Sequence, residues 1–471
     1  MKKNFSLFKI IQLTFPTFIS QATLMAVGLV DMYFAGGLGS AAISALTIAH
    51  TSWNMIMAFF EGLRLGTTIL ASQFFGAQRE EDMYHVGRIG LAISAILGIL
   101  LIILGKPLAI LIYATFSKTP EIQQLGIRYL PIIMASGGFT FATFVIDGMF
   151  RSTNRVVIPT IITLIAQSLN IILNCVFVWG RIDFIVIPFV CKIPVNLYFC
   201  EPMGIEGIAY ATLLAYIISA LFALGALYTQ GFKSLFYRLG TSFKAILGDY
   251  IKSASSVGVH AGFRFMAMLI FNRILEALGQ NASASFGVAA QVFHISYIPG
   301  LAFMFTMSLL IAQLIGGKQT NYLWHVAVRV TGTALCCAGI IGIAVFAYAY
   351  EIALIFSPTD LIVAQNAATL IKIIAFNQFI VMTNFMFRGY LNGAKQTAFL
   401  MRASMITTYG VFLPTSYLIA IIFEQGLVGA YAGIVTWNLV DTLVNALKAR
   451  QIAQQFKQEE AIIEAVTDLI E

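Results

Sequence analysis

The chain has 471 residues, of which 59% are apolar and only 10% charged. A soluble domain carries about 25% charged residues, so this chain lacks the polar side chains needed to cover a water-facing surface. The formal charge of +7 does not indicate a nucleic-acid partner, because the basic residues fall between apolar blocks rather than in one patch.

Blocks of roughly 18 or more apolar residues read as membrane-spanning helices. Twelve are expected, near 10–36, 42–74, 86–113, 122–150, 157–180 and 204–230, then 248–278, 283–315, 322–350, 360–388, 396–423 and 427–452. Several exceed the roughly 20 residues that cross hydrocarbon, which calls for tilted or bent helices. The first block is too long, and too poor in a small-residue cleavage site, for a removed signal peptide. With the N-terminus inside, the inner segments hold most of the Lys and Arg residues. They include Lys2, Lys3, Arg79, Arg88, Arg151, Arg155, Lys233, Arg238, Lys318, Arg388, Lys395 and Arg402. By the positive-inside rule both termini are cytoplasmic, and the chain is expected to be a multi-pass protein of a bacterial inner membrane.

The halves repeat. A shift of 240 residues lays Gly39 on Gly279, Ser72-Gln73-Phe74-Phe75-Gly76 on Ala312-Gln313-Leu314-Ile315-Gly316, and Phe150-Arg151-Ser152-Thr153-Asn154-Arg155 on Tyr390-Leu391-Asn392-Gly393-Ala394-Lys395. Further on the shift is 222, with Gly204-Ile205-Glu206-Gly207 on Gly426-Leu427-Val428-Gly429. An insertion in the first half, the outer loop at 181–203, explains the change. Six helices per half make the repeats parallel, related by an axis along the membrane normal. The expected fold is all-α and integral to the membrane: twelve transmembrane helices in two six-helix bundles, related by a pseudo-two-fold around a central cavity. The N-terminal bundle takes residues 1–228, a cytoplasmic connector 229–252, the C-terminal bundle 253–452, and a polar tail, read as a short solvated helix, 453–471. The connector mixes aromatics with Lys233, Arg238 and Lys244, which suits an interfacial helix.

Polar groups inside a span are costly and mark function by default. Asp31 lies about five residues below the outer end of helix 1. Asn174 and Asn170 lie below the outer end of helix 5, and Thr212 lies eight residues into helix 6. At 1.5 Å per residue these four share one depth, and Asn170 and Asn174 share a helix face. One carboxylate, two amide oxygens and a hydroxyl can ligate a hard cation. Alternatively Asp31 takes up a proton, since a low-dielectric surrounding disfavours the charged carboxylate; or the side chains merely bond helices together. Pro16, inside helix 1, removes a backbone hydrogen bond and permits a hinge. Other intramembrane charges are Glu61 and Arg64 on helix 2, Arg264 and Arg273 on helix 7, and Lys372 on helix 10, all candidates for lining a substrate cavity. Glu61 and Arg64 are spaced to neutralise each other, whereas Arg264 needs a counter-charge from another helix or a ligand. Glu276 and Asp147 lie near helix ends, where solvation accounts for them.

No catalytic or metal-binding pattern emerges. The five cysteines lack metal spacing: Cys336–Cys337 sits within a helix, and Cys191 and Cys200 share one outer loop where a disulfide is compatible with an oxidising compartment. Scattered histidines, with no HExxH and no GxSxG, argue against a polytopic membrane enzyme. A pore-loop signature, as a channel would need, is lacking.

The segments Pro16 through Val30-Asp31-Met32-Tyr33-Phe34-Ala35-Gly36-Gly37-Leu38-Gly39, Gly66-Thr67-Thr68 through Gly76-Ala77, Asn170-Ile171-Ile172-Leu173-Asn174 and Gly204 through Thr212 resemble the multidrug and toxic compound extrusion (MATE) family of the MOP flippase superfamily. Their order covers nearly the whole chain and looks most like the DinF-type branch. The resemblance implies an antiporter that expels organic, often cationic, compounds against inward H⁺ or Na⁺, without a cofactor. Its expected partners are a small-molecule substrate and membrane lipid, and it is expected to act as a monomer. It places ion coupling at Asp31, Asn170 and Thr212. That branch usually has an aspartate where this chain has Asn174, which removes one negative charge. The carboxylates that other branches carry on helices 7 and 10 are not evident, and Arg264 and Lys372 lie there instead. Arg64, Arg264 and Arg273 motivate the alternative of a flippase or exporter for an anionic or lipid-linked substrate.

Overall fold

In a computed structural model the chain is described over residues 6–187, 191–198, 201–237, 243–358 and 360–470. It is a multi-pass membrane protein with twelve helices long and apolar enough to span a bilayer. They are α1 (Leu7–Gly36), α2 (Ser40–Gly76), α3 (Glu80–Phe116), α4 (Pro120–Ser152), α5 (Val157–Trp179), α6 (Ile205–Thr229), α7 (Lys244–Ala277), α8 (Asn281–Gly316), α9 (Thr320–Ala347), α10 (Leu361–Gly393), α11 (Thr397–Ile422) and α12 (Gly426–Gln458). In hydrocarbon a backbone must satisfy its own hydrogen bonds, so each long apolar run becomes a helix.

The expected bends have local causes. Helix α4 breaks at Ser136, five residues after Pro131. Helix α11 widens into π turns at Thr408–Phe412 and Leu418–Ile422, either side of a segment holding Pro414, as a missing backbone donor allows. Two expectations are revised. The insertion read as a loop is a hairpin, with Arg181–Ile187 antiparallel to Cys191–Tyr198; its β-branched and aromatic residues favour strand in a segment too short to span. The tail is not a separate short helix, because α12 continues unbroken to Ile470, with no Gly or Pro after 452 to stop it. Cys200, the expected partner of Cys191, and Arg238 lie outside the described residues.

The repeat is written into the backbone. Left-handed residues end helices at Gly39 and Gly279, Gln78 and Lys318, Asn154 and Lys395, Gly180 and Glu424, and Gly204 and Gly426. The pairs Gly39/Gly279 and Gln78/Lys318 lie at the 240-residue shift and Gly204/Gly426 at the 222-residue shift, while Asn154/Lys395 and Gly180/Glu424 are offset from the 240-residue shift by one and four residues. Gly39 and Gly279 have φ of 106° and 102°, a region that favours glycine.

Two compact units are formed. The first comprises Ile19–Thr67 and Tyr84–Tyr250. Here α3 and α4 cross with backbones touching, since a Cβ on Gly98 would lie 2.4 Å from the Gly138 Cα. Small residues permit this approach in membranes, where packing rather than the hydrophobic effect joins helices. The connector starts on this unit. Phe232 and Leu235 are buried, and Arg88 donates to the Leu235 carbonyl at 2.7 Å. Leu235 lies in one turn of helix, Ser234–Tyr237, and the helix of α7 starts at Phe243.

The second unit comprises Met1–Phe18, Thr68–Met83 and Ile251–Glu471. Its core joins Phe271, Phe286, Ile371, Ile374 and Phe412. Helices α8 and α10 pack closely through Gly389 and Gly393, each of whose added Cβ would lie 2.7 Å from a carbonyl of α8. The end of α2 meets the end of α8 reciprocally. A Cβ on Gly76 would lie 2.1 Å from the Gln313 carbonyl oxygen, and one on Gly316 1.9 Å from that of Gln73. These are the residues paired by the 240-residue shift.

Candidate functional site

In the first unit, depth reasoning placed Asp31, Asn170, Asn174 and Thr212 at one level, and there their side chains form one chain. All are buried. The Asn174 amide donates to Asp31 Oδ1 at 2.9 Å and to Asn170 Oδ1 at 3.2 Å. Asn170 donates to the Thr212 hydroxyl at 3.0 Å, and Thr212 donates to the Ile208 carbonyl. Helix α5 sets this arrangement, because residues four apart point the same way. Asn174 Oδ1 has no hydrogen-bond partner and lies in the interior. An orphan acceptor beside a carboxylate suits a proton or a monovalent cation.

Two further side chains complete this site that sequence reasoning passed over. His50 Nε2 on α2 is 3.6 Å from Asp31 Oδ2, and the Tyr129 hydroxyl on α4 is 3.4 Å from the same nitrogen. His50 lies ten residues into α2, and the depth argument applied to Asp31 would have found it. Tyr129 and Tyr216 both stand within electrostatic reach of Asp31.

Also in the first unit, Arg64 pairs with Glu61 three residues earlier, as the spacing suggested. Asp147 departs from expectation. It is not solvated at a helix end but buried, accepting from Arg151 Nε at 2.7 Å and meeting Arg64 Nη1 at 3.4 Å. The four side chains form a network of two arginines and two carboxylates, buried except at Glu61, which is partly exposed. Burial of an unpaired ion is costly enough that each charge here requires another. Arg151, counted among inner-loop charges, is 2% exposed.

In the second unit the sequence-derived candidates scatter. Arg273 is exposed and pairs with Glu276 at 3.1 Å, both open to the surroundings, as expected for Glu276. Lys372 is exposed, its ammonium 5.9 Å from the Phe346 ring centroid. Pro16 sits within α1, near the end of this unit's first segment. Arg264 stands over the Trp437 ring at 5.9 Å. Near it is a cluster the sequence reading missed. Asp441 is 0% exposed; it accepts from Asn384 at 2.8 Å, Asn445 at 3.2 Å and the Thr407 hydroxyl at 2.9 Å. Trp437 Nε1 donates to that same hydroxyl at 3.2 Å. Asn438, Asp441 and Asn445 recur at three and four residues on α12, a polar face in an apolar span that could have drawn notice.

Among the described residues no group of three or more His, Cys, Asp or Glu side chains is placed to hold a metal ion. The arrangement can bind a proton or a weakly held monovalent cation.

Comparison with known proteins agrees with this architecture. The chain is similar to the probable multidrug resistance protein NorM of Thermotoga maritima, 22% identical over 432 residues, which is 91% of this chain and 88% of that protein. It is 20% identical to the probable NorM of Bacillus thuringiensis subsp. konkukian over 430 residues, 90% of each. Among solved structures, a MOP superfamily transporter from Pyrococcus furiosus, described as having a binding pocket of reverse polarity, matches with a TM-score of 0.84 at 19% identity over 95% of this chain and 96% of that one. A MATE protein in its bent conformation matches with a TM-score of 0.84 at 20% identity over 96% of each. The MatE family model matches residues 16–176 and 261–418, one stretch in each half of the repeat. The chain therefore belongs to the MatE family, whose members are transporters and not enzymes.

Proposed function

We propose that the protein is a secondary antiporter of the DinF-like branch that exports organic, often cationic, compounds in exchange for H⁺ or Na⁺. The observation that carries the reading is the buried Asp31 carboxylate, held by one amide in a chain of neutral oxygens with an unpartnered acceptor beside it. Binding a proton or Na⁺ there replaces a hydrogen-bonded charge with a neutral pair, which changes what α1 and α5 prefer to contact. A ligand drives a conformational change only through a difference in affinity for two states, and this charge change supplies one. His50 holds Asp31 in place or exchanges its proton. Pro16 acts as the hinge of α1, fifteen residues from the carboxylate on the same helix. Both termini are read as cytoplasmic from the distribution of Lys and Arg, in a bacterial inner membrane and with the chain acting as a monomer among its lipids.

The test is transport of a fluorescent organic cation by the purified protein in liposomes under imposed pH or Na⁺ gradients. One gradient should drive accumulation, and Asp31→Asn should abolish coupling while leaving the fold intact. Transport by Asp31→Asn at the wild-type rate, or no response to either gradient, overturns the reading.

A second reading, an exporter or flippase for an anionic substrate, is favoured by one observation: among the described residues, Arg264 and Arg388 of the second unit form no ion pair with a carboxylate.

A further inference from the structure

The charges of the second unit do not cancel in the way those of the first do. Arg388 on α10 lies against His260 on α7, its Nη2 3.1 Å from Nδ1 and 3.3 Å from Nε2 of the imidazole. Its Nε is buried and makes no hydrogen bond. Arg264, one helical turn beyond His260, acts electrostatically on His260, His294 and Arg388. Among the described residues neither arginine forms an ion pair. Asp441 is the carboxylate in electrostatic reach of Arg388, yet both of its oxygens are taken by Asn384, Asn445 and Thr407. The one carboxylate in electrostatic reach of Arg388 is therefore already engaged by three neutral donors, and Arg264 has no ion-pair partner among the described residues.

In a membrane such a surplus costs free energy unless something supplies the missing charge. Guanidinium N–H groups match the geometry of an oxyanion, and aromatic faces beside them accept the organic part of a ligand. Both are present, since Arg264 stands over Trp437, and its chain neighbour Phe263 meets Tyr409 edge to face at 6.1 Å.

We infer that Arg388 and Arg264, with His260, form a binding site for the carboxylate or phosphate group of an aromatic or amphipathic substrate. The word substrate rests on the second reading above, an exporter or flippase for an anion; the binding itself does not. Arg388 contributes its free Nε–H, and Arg264 contributes a second positive charge from the next turn of α7. Trp437 is both the floor of the site and its link to Asp441, because its indole N–H donates to the hydroxyl that binds that carboxylate. Arg388→Lys keeps the charge but loses the directed N–H.

The test needs no ion gradient, so it stands whether or not antiport is demonstrated. Protein in phosphatidylcholine nanodiscs is titrated with 1-naphthoate and, separately, with 1-naphthylmethylamine, following Trp fluorescence and calorimetry. The naphthoate should bind saturably, with inorganic phosphate competing. Losing a charged hydrogen bond should weaken binding about tenfold in each of Arg388→Gln and Arg264→Gln. Arg388→Lys should fall between, and Lys118→Gln, an exposed change in the first unit, should bind as wild type. Because Arg264 is exposed, its substitution tests the site even if Arg388→Gln fails to fold. Repeating the titration in phosphatidylglycerol nanodiscs separates the sources of the anion. Displacement of naphthoate there assigns the site to lipid headgroups, and undiminished binding assigns it to a soluble anion. Equal naphthoate affinity in wild type and Arg264→Gln, or a preference for the amine, overturns the inference.

Discussion

Replacing Gly76 by Ala places a methyl group 2.1 Å from the Gln313 carbonyl oxygen, where ordinary contact begins at 3.4 Å. The obstacle is backbone, so no rotamer change can relieve it; α2 and α8 must part by about 1 Å or more. Overpacking of this kind costs about 1–3 kcal/mol. Gly316→Ala meets the Gln73 carbonyl at 1.9 Å and should cost the same or slightly more. The two contacts lie at a single helix crossing, so the separation forced by the first substitution relieves the second, and the double variant should lose less than the sum. Parting these helices also stretches the bond from Gln73 Nε2 to the Gly393 carbonyl, now 3.0 Å. Thermal unfolding in detergent, followed by circular dichroism, measures the effect. Gly28→Ala in α1 is the control, since a Cβ there meets nothing within 4 Å. If Gly76→Ala unfolds at the wild-type temperature, or the two losses simply add, the proposed backbone contact is wrong.

Asp147→Asn should destabilise the protein by about 3–5 kcal/mol, because it leaves Arg64 and Arg151 sharing Glu61 alone; adding Arg151→Gln should restore part of the loss in the same unfolding assay. Asn174→Asp puts a second carboxylate 2.9 Å from Asp31 Oδ1, and should create Na⁺-dependent thermal protection that wild type shows weakly or not at all. Protection equal to wild type at all Na⁺ concentrations would refute that geometry. Thr407→Val removes one acceptor from Trp437 and one donor from Asp441, and a loss of about 1–3 kcal/mol is expected; an unchanged unfolding temperature and Trp emission would show that the hydroxyl does not link them.

Much of the fold was legible in the sequence because lipid leaves few options. A long apolar run must close its own hydrogen bonds, so block length predicts a helix without knowledge of its neighbours. The repeat was legible for a related reason: many helix ends carry a left-handed or glycine residue, and Gly39 and Gly204 recur at Gly279 and Gly426 under the two shifts of 240 and 222 residues. Asp31, Asn170, Asn174 and Thr212 could be placed together because depth in a membrane is a coordinate that can be counted along the chain. Rotation of a helix about its axis cannot be counted in that way, since an apolar span has no hydrophilic stripe to show which side faces inward. That rotation decided the rest. It turned Asp147 towards Arg64, His50 towards Asp31 and Asp441 towards Asn384, while leaving Lys372 on an exposed face with Phe346. The sequence by itself determined which polar groups enter the membrane and at what level; only tertiary packing decided which of them meet, because their partners come from other helices.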